Sequence, residues 1–282
     1  FESAKKAGVR AVIGKVMMDQ NSPKSLTEKT KQSLKDSLEL IDKWHGYEDR
    51  LFYALTPRFA ITCSMELMQS IGELAQKKEV YVQTHLAENL DEITFTKKLF
   101  PNHRNYSDIY YQAGILGPKT IMAHCIYLEK EELSLIKKTK TKIAHCPTSN
   151  RFLMSGIMPF RPYQQANLAI GLGTDVAGGY SLSMFNEMKE AIENSKSLFV
   201  FSKGKIGPPM TVPEAFYLAT LGGAKVLSMD KKIGSLEIGK EADFLIIDHQ
   251  LVDPMGNKSD YQEPEKIISK IKDGRGKQER KE

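Results

Sequence analysis

Short apolar runs alternate along this chain with longer stretches of helical periodicity. Six runs read as strands: VRAVIGKVM (9–17), LFYALTP (51–57), VYVQTH (80–85), TIMAHC (120–125), KIAHC (142–146) and LAIGLGTD (168–175). Their continuous apolar character, rich in Val and Ile, predicts strands covered on both faces, as in parallel sheets. Helix signals lie between them. Ser25 and Glu28 have capping-box spacing and predict the start of a helix running toward Trp44. Ser64 precedes MELMQSIGELAQKK, and LEKEELSLIKK (128–138) puts acids in its first turn and lysines in its last. After Asp175 the pattern predicts a helix over 183–199. A second one opens at Thr211 and Glu214 with Pro213 in its first turn and continues into ATLGGAKVLSM.

Strict alternation of strands and helices means βαβ units and a parallel sheet. An open doubly wound sheet and a closed barrel both fit that pattern. No G-x-G-x-x-G follows any strand, which removes support for a dinucleotide fold. His85, His124, His145 and Asp175 each fall at the C-terminal end of a different strand-like run. Barrel enzymes gather their catalytic groups at that edge. The expectation is therefore an α/β fold, a (β/α)8 TIM barrel with six strands visible rather than eight. Residues 1–229 form the barrel portion, about six βα units plus C-terminal helices. From residue 230 to 282 the chain predicts part of a small β-sandwich domain, with strand-like alternation in IGSLEIGKEADFLIID (233–248), and then a polar tail.

Composition narrows the function classes. The chain has 282 residues and a net charge of +5, much of it in scattered lysines and the tail KDGRGKQERKE. Such a tail reads as a solvated end rather than a nucleic-acid arm. Three cysteines without C-x-x-C spacing favour a reducing compartment over a disulfide framework. No apolar run has the length of a bilayer span, and there is no signal-peptide core. A cytoplasmic protein without membrane or nucleic-acid partners is expected.

A single strand-end histidine is usually structural, and Asp175 in GLGTD can be read as a helix cap. Recurrence at one barrel edge changes those odds. Zinc takes imidazole nitrogen and carboxylate oxygen, and a catalytic site keeps one position open. His85 and Asp175 as metal ligands, His124 beside an attacking water and Glu88 as proton shuttle make a coherent hydrolytic set. The motifs HLAE, MAHC, AHCPTSN and GLGTDVAGGYS resemble, in order and spacing, those of the metal-dependent amidohydrolase superfamily. TPRFAITCS, GLGTDVAGGYSLSM and ATLGGAKVL followed by GSLEIGKEAD narrow the resemblance to its guanine deaminase branch, over about residues 9–248.

That resemblance implies zinc-dependent hydrolysis of guanine to xanthine and ammonia in purine catabolism, by a homodimer with one zinc per subunit. It implies catalytic roles for Glu88, His124 and Asp175, zinc ligation by His85 and Asp175, and substrate contacts from Arg58, Phe59, His85, Glu88 and Asp175. His145 is expected to be structural, and Cys125 and Cys146 to be small buried residues. The family draws two more ligands from an H-x-H, whereas no two of the six histidines here are separated by one residue. Against that family the chain is thus expected to lack the first two barrel strands, to cover the central and C-terminal parts of such an enzyme, and to be a poor deaminase by itself. Two alternatives stay open: an amidohydrolase acting on another purine or a triazine, and a non-catalytic form that acts only in subunit association.

Overall fold

The computed structural model describes residues 1–247. They divide into two compact units, Phe1–Ala144 with Ala166–Ala169, and His145–Gln165 with the described residues from Ile170 onward.

In the first unit the strands are β1 (Ala11–Ile13), β2 (Val16–Met17), β3 (Leu51–Pro57), β4 (Tyr81–Leu86), β5 (Thr120–His124) and β6 (Lys142–His145). The run predicted as one strand over 9–17 is broken at Gly14 and Lys15. Both halves nevertheless pair with β3 in the same parallel register, Ala11 opposite Leu51 and Val16 opposite Thr56. A Cβ on Gly14 would stand 1.9 Å from the Ala54 carbonyl oxygen, so only glycine allows this approach to β3. From β3 to β6 each strand pairs in parallel with the next, an order that follows the sequence without reversal. A doubly wound sheet would reverse direction at a switch point. One-way winding is the barrel pattern. All five residues of β5 are buried, as its unbroken apolar character predicts.

The crossovers are helices Met65–Lys78, Leu90–Leu99 with Tyr106–Gln112, and Lys130–Thr139. Ser64 caps the first, accepting from Leu67 N at 3.1 Å, and is itself held by Asp19, which accepts from the Ser64 amide and hydroxyl. The predicted Ser25–Glu28 box does not form. Helix Thr30–Trp44 starts at Lys29 without a side-chain cap, because the Glu28 carboxylate pairs instead with the partly buried Lys15 ammonium. A cation drawn out of water at the β1–β2 break needs that counter-charge more than an exposed helix end needs a cap.

The second unit holds helices Pro147–Phe152 and Phe160–Gln165, strand β7 (Ile170–Leu172), and helices Met184–Phe201, Val212–Ala219 and Leu221–Val226. The Thr211–Glu214 box forms as predicted. Glu214 also takes both Nη atoms of Arg161, at 2.5 and 3.1 Å. Burial alone would raise the Glu214 carboxyl, but hydrogen bonds led by Arg161 outweigh it and bring the pKa from 4.5 to about 2. A depressed carboxyl adds stability above its unfolded pKa and loses it as pH falls through the folded one. Arg161→Ala should therefore cost about 2 kcal/mol at pH 7. The deficit should shrink as pH drops from 4.5 toward 2. Urea unfolding across that range measures it, and a pH-independent deficit would contradict the assignment.

The alternation over 233–247 produces turns and no strand. Leu236, Ile238, Leu245 and Ile246 are all exposed. A strand needs a neighbour for its backbone groups, and among the described residues this segment pairs with none. Asp248 and the polar tail lie outside the described residues.

Candidate active site

The end of β4 is anchored by a single carbonyl. The oxygen of Arg58, the residue after β3, accepts from His85 Nδ1 at 2.5 Å, from the His85 amide at 3.2 Å and from Thr84 Oγ1 at 3.2 Å. A carbonyl only accepts, so Nδ1 carries the proton and Nε2 keeps the lone pair that a metal requires. In metal sites a bond of this kind orients the ligating histidine.

The His85 ring stacks on His124, with centroids 5.2 Å apart and planes 22° from parallel. His124 closes β5, is buried, and has φ of 70°; Cys125 follows at 51°. Two successive non-glycine residues in the left-handed region are a costly turn, of the kind found where a site over-determines its backbone. Glu88 Oε2 lies 3.5 Å from His124 Nε2. The chain turns at Ala87, φ 50°, and the Glu92 carboxylate then accepts from the amides of Glu88 and Asn89 at 2.9 and 3.1 Å. Asn89 and Glu92 complete a capping box on helix Leu90–Leu99. That box explains how a glutamate three residues beyond a strand histidine returns to the same edge.

Phe59 stands edge-on to His85 with centroids 6.5 Å apart, and the Arg58 guanidinium lies 5.4 Å from the Phe59 ring centre. The Arg58 side chain is exposed while its carbonyl holds His85. One residue thus supports a histidine through its backbone and presents a planar fork of donors to solvent. Arg58, Phe59, His85, Glu88 and His124, five of the residues singled out in the sequence, gather in the first unit.

Asp175, in the second unit, follows β7 with φ of 46°. Its Oδ2 accepts from Ser149 Oγ at 2.6 Å and its carbonyl from Gly179 N at 2.6 Å. The next helix begins at Met184 and is capped by Ser183, so Asp175 is not a helix cap. A Cβ on Gly178 would lie 2.7 Å from Asp175 Oδ2 and 2.8 Å from Ser149 Oγ, which accounts for glycine in GTDVAGG. His145, which belongs to the second unit, is buried, and its carbonyl accepts from Gly173 N at 2.8 Å. Cys125 and Cys146 are buried. Sequence reasoning passed over Ser149, Glu92, Tyr106 and Tyr110. Ser149 sits inside a motif already singled out, AHCPTSN, and Glu92 lies at capping-box spacing from Asn89, whereas the two tyrosines carry no local signal.

The donors fit zinc by type: imidazole nitrogen with the correct tautomer, and a carboxylate fixed by a hydroxyl. The chain is similar to guanine deaminase of Dictyostelium discoideum, 43% identical over 248 residues that cover 88% of this chain and 55% of that protein. It is similar to guanine deaminase of Escherichia coli K12, 41% identical over 249 residues covering 88% and 55%. Among solved structures it matches guanine deaminase from C. acetobutylicum with bound guanine in the active site. That match has TM-score 0.88 and 39% identity, and covers 96% of this chain and 63% of the other. A triazine hydrolase variant matches with TM-score 0.82 at 20% identity over 95% of this chain and 58% of its own, which shows the shared fold alone. The chain spans about half the length of the curated relatives it matches. It has the α/β fold of the amidohydrolase barrels. The model of the Amidohydrolase family matches residues 1–275, and this chain belongs to that family.

Proposed function

We propose that this chain carries the catalytic portion of a zinc-dependent guanine deaminase that converts guanine and water to xanthine and ammonia. The observation that carries the reading is the first unit's cluster. It joins a histidine locked in the metal-binding tautomer, a glutamate 3.5 Å from a second histidine, and an Arg–Phe pair beside them. The similarity to guanine deaminases supports the choice of substrate.

His85 and Asp175 would hold the ion; bound there, zinc supplies Lewis-acid activation of water near neutral pH. His124 hydrogen-bonds the attacking water and orients it. Asp175 takes a proton from that water. Glu88 gives a proton to a purine ring nitrogen, so that negative charge does not build up. The proton that Asp175 took from water passes to the amine, which leaves as ammonia. Glu88 recovers its own from the added hydroxyl as that becomes the new carbonyl. A carboxyl suits both duties because it works as acid and as base in turn. Arg58 donates to the purine's carbonyl and ring acceptors, and Phe59 supplies an apolar edge against the heterocycle. The reading extends to a cytoplasmic homodimer, as the family resemblance implies.

The test is xanthine formation from guanine by the full protein, with zinc content measured on the same sample. A protein with stoichiometric zinc that leaves guanine untouched would overturn the substrate, and turnover of another aminated purine or a triazine would replace it. The six histidines contain no H-x-H. Zinc titration of the purified protein checks the expectation of weak metal binding. Ser149→Ala, which removes one hydrogen bond to Asp175 Oδ2, should weaken zinc binding or turnover about tenfold. Unchanged values in both would assign Ser149 to folding only.

A further inference from the structure

Behind the cluster lies helix Tyr106–Gln112; of its three tyrosines, Tyr106 and Tyr110 stand one turn apart and have no role in the reaction described above. Their rings stack with centroids 5.5 Å apart, and Tyr110 is 0% exposed. Tyr110 Oη accepts from the Ala60 amide at 2.9 Å and donates to the His85 carbonyl at 2.9 Å; Thr84 Oγ1 lies 3.3 Å away. Ala60 directly follows Phe59, so one hydroxyl ties the Arg58–Phe59 segment to the backbone of His85. Tyr106 Oη donates to Glu92 Oε1 at 2.7 Å, while Glu92 Oε2 takes the amides of Glu88 and Asn89. A capping box needs only the Asn89 amide. The bonds to Glu88 and Tyr106 go beyond what starting a helix requires.

We propose that Tyr110 and Tyr106 are separate positioning residues: Tyr110 sets His85 and the Arg58–Phe59 segment, and Tyr106, through Glu92, sets Glu88. Two hydroxyls on one helix then fix the spacing between a metal-binding group at the end of β4 and a proton-transferring group on the loop that follows it. Such support is what keeps a constellation within the few tenths of an ångström that catalysis demands. Burial pushes both phenols well above their ordinary pKa, so both remain protonated donors across the working range. The inference rests on the functional reading above for its catalytic half only.

Tyr110→Phe and Tyr106→Phe keep the ring stack and remove one oxygen each. In the full protein Tyr110→Phe should weaken zinc binding about tenfold and raise KM for guanine, with a smaller change in kcat. Tyr106→Phe should lower kcat about tenfold and leave zinc affinity within twofold. Without substrate, Tyr106→Phe should also speed hydrogen exchange at the Glu88 and Asn89 amides, and Tyr110→Phe that at Ala60. Zinc affinity and exchange do not depend on guanine being the substrate. If the wild-type protein ignores guanine yet these readouts split as stated, the functional reading fails and the positioning roles stand. If both variants lose zinc affinity and kcat in parallel with thermal stability, or neither changes any readout, the proposal is overturned. Should a phenylalanine variant not fold, Thr84→Val carries the Tyr110 arm and Glu92→Gln the Tyr106 arm with the same expected split.

Discussion

Replacing Glu88 with glutamine should lower kcat for guanine about a thousandfold while zinc content stays that of the wild type. General acid–base groups contribute about 10² to 10⁴ in rate. A thousandfold loss corresponds to about 4 kcal/mol of transition-state stabilisation. Glutamine keeps the length of the side chain and a polar contact to His124, 3.5 Å away in the native protein. Its backbone remains held by Glu92 through the same amide. What it loses is the carboxyl that gives a proton to the ring and then takes one back from the added hydroxyl. Xanthine formation and metal content measured on one preparation decide the matter. Activity within tenfold of wild type would mean that Glu88 only shapes the loop and that another group moves the proton.

Three of the candidate residues were legible because each stands where an apolar run stops. His85, His124 and Asp175 break strand-like patterns at their C-terminal ends, and in a parallel sheet those ends share an edge. Their supports were not legible. Tyr106 and Tyr110 show i,i+4 spacing that reads as an ordinary buried helix face, and nothing nearby reveals that their hydroxyls reach Ala60, His85 and Glu92. Glu28 was misread for the opposite reason. Its spacing from Ser25 is a valid local signal, but Lys15, thirteen residues earlier, competes for the same carboxylate. The alternation over 233–247 shows a third limit: period-two patterning describes which face would be buried, not whether a partner strand is at hand. Close backbone approaches were half legible. The glycines of GLGTDVAGG mark a tight segment, yet only the position of a Cβ at Gly178, against Asp175 and Ser149, shows what the tightness protects.

Asp175→Asn is the second substitution expected to have a large effect, and it separates two readings of the same loop. If Asp175 serves only to anchor the segment after β7, asparagine should do nearly as well, since its side-chain oxygen can still accept from Ser149 and its backbone can still take the Gly179 amide. Asparagine also tolerates the left-handed φ of 46° at this position as well as aspartate does. Backbone strain and loop geometry are thus matched between the two, and only the negative charge differs. If Asp175 is a zinc ligand and takes the proton from water, removing that charge should weaken zinc binding by more than the roughly 100-fold upper end for outer-shell changes. Turnover should fall at least as far. Ser149→Ala provides the scale, because it disturbs the same carboxylate without neutralising it. Asp175→Asn with wild-type zinc content and turnover within tenfold would remove the carboxylate from the metal site and leave it as a loop anchor. A loss far larger than that of Ser149→Ala, with unchanged thermal unfolding of the zinc-free protein, would place the charge itself at the centre of the chemistry.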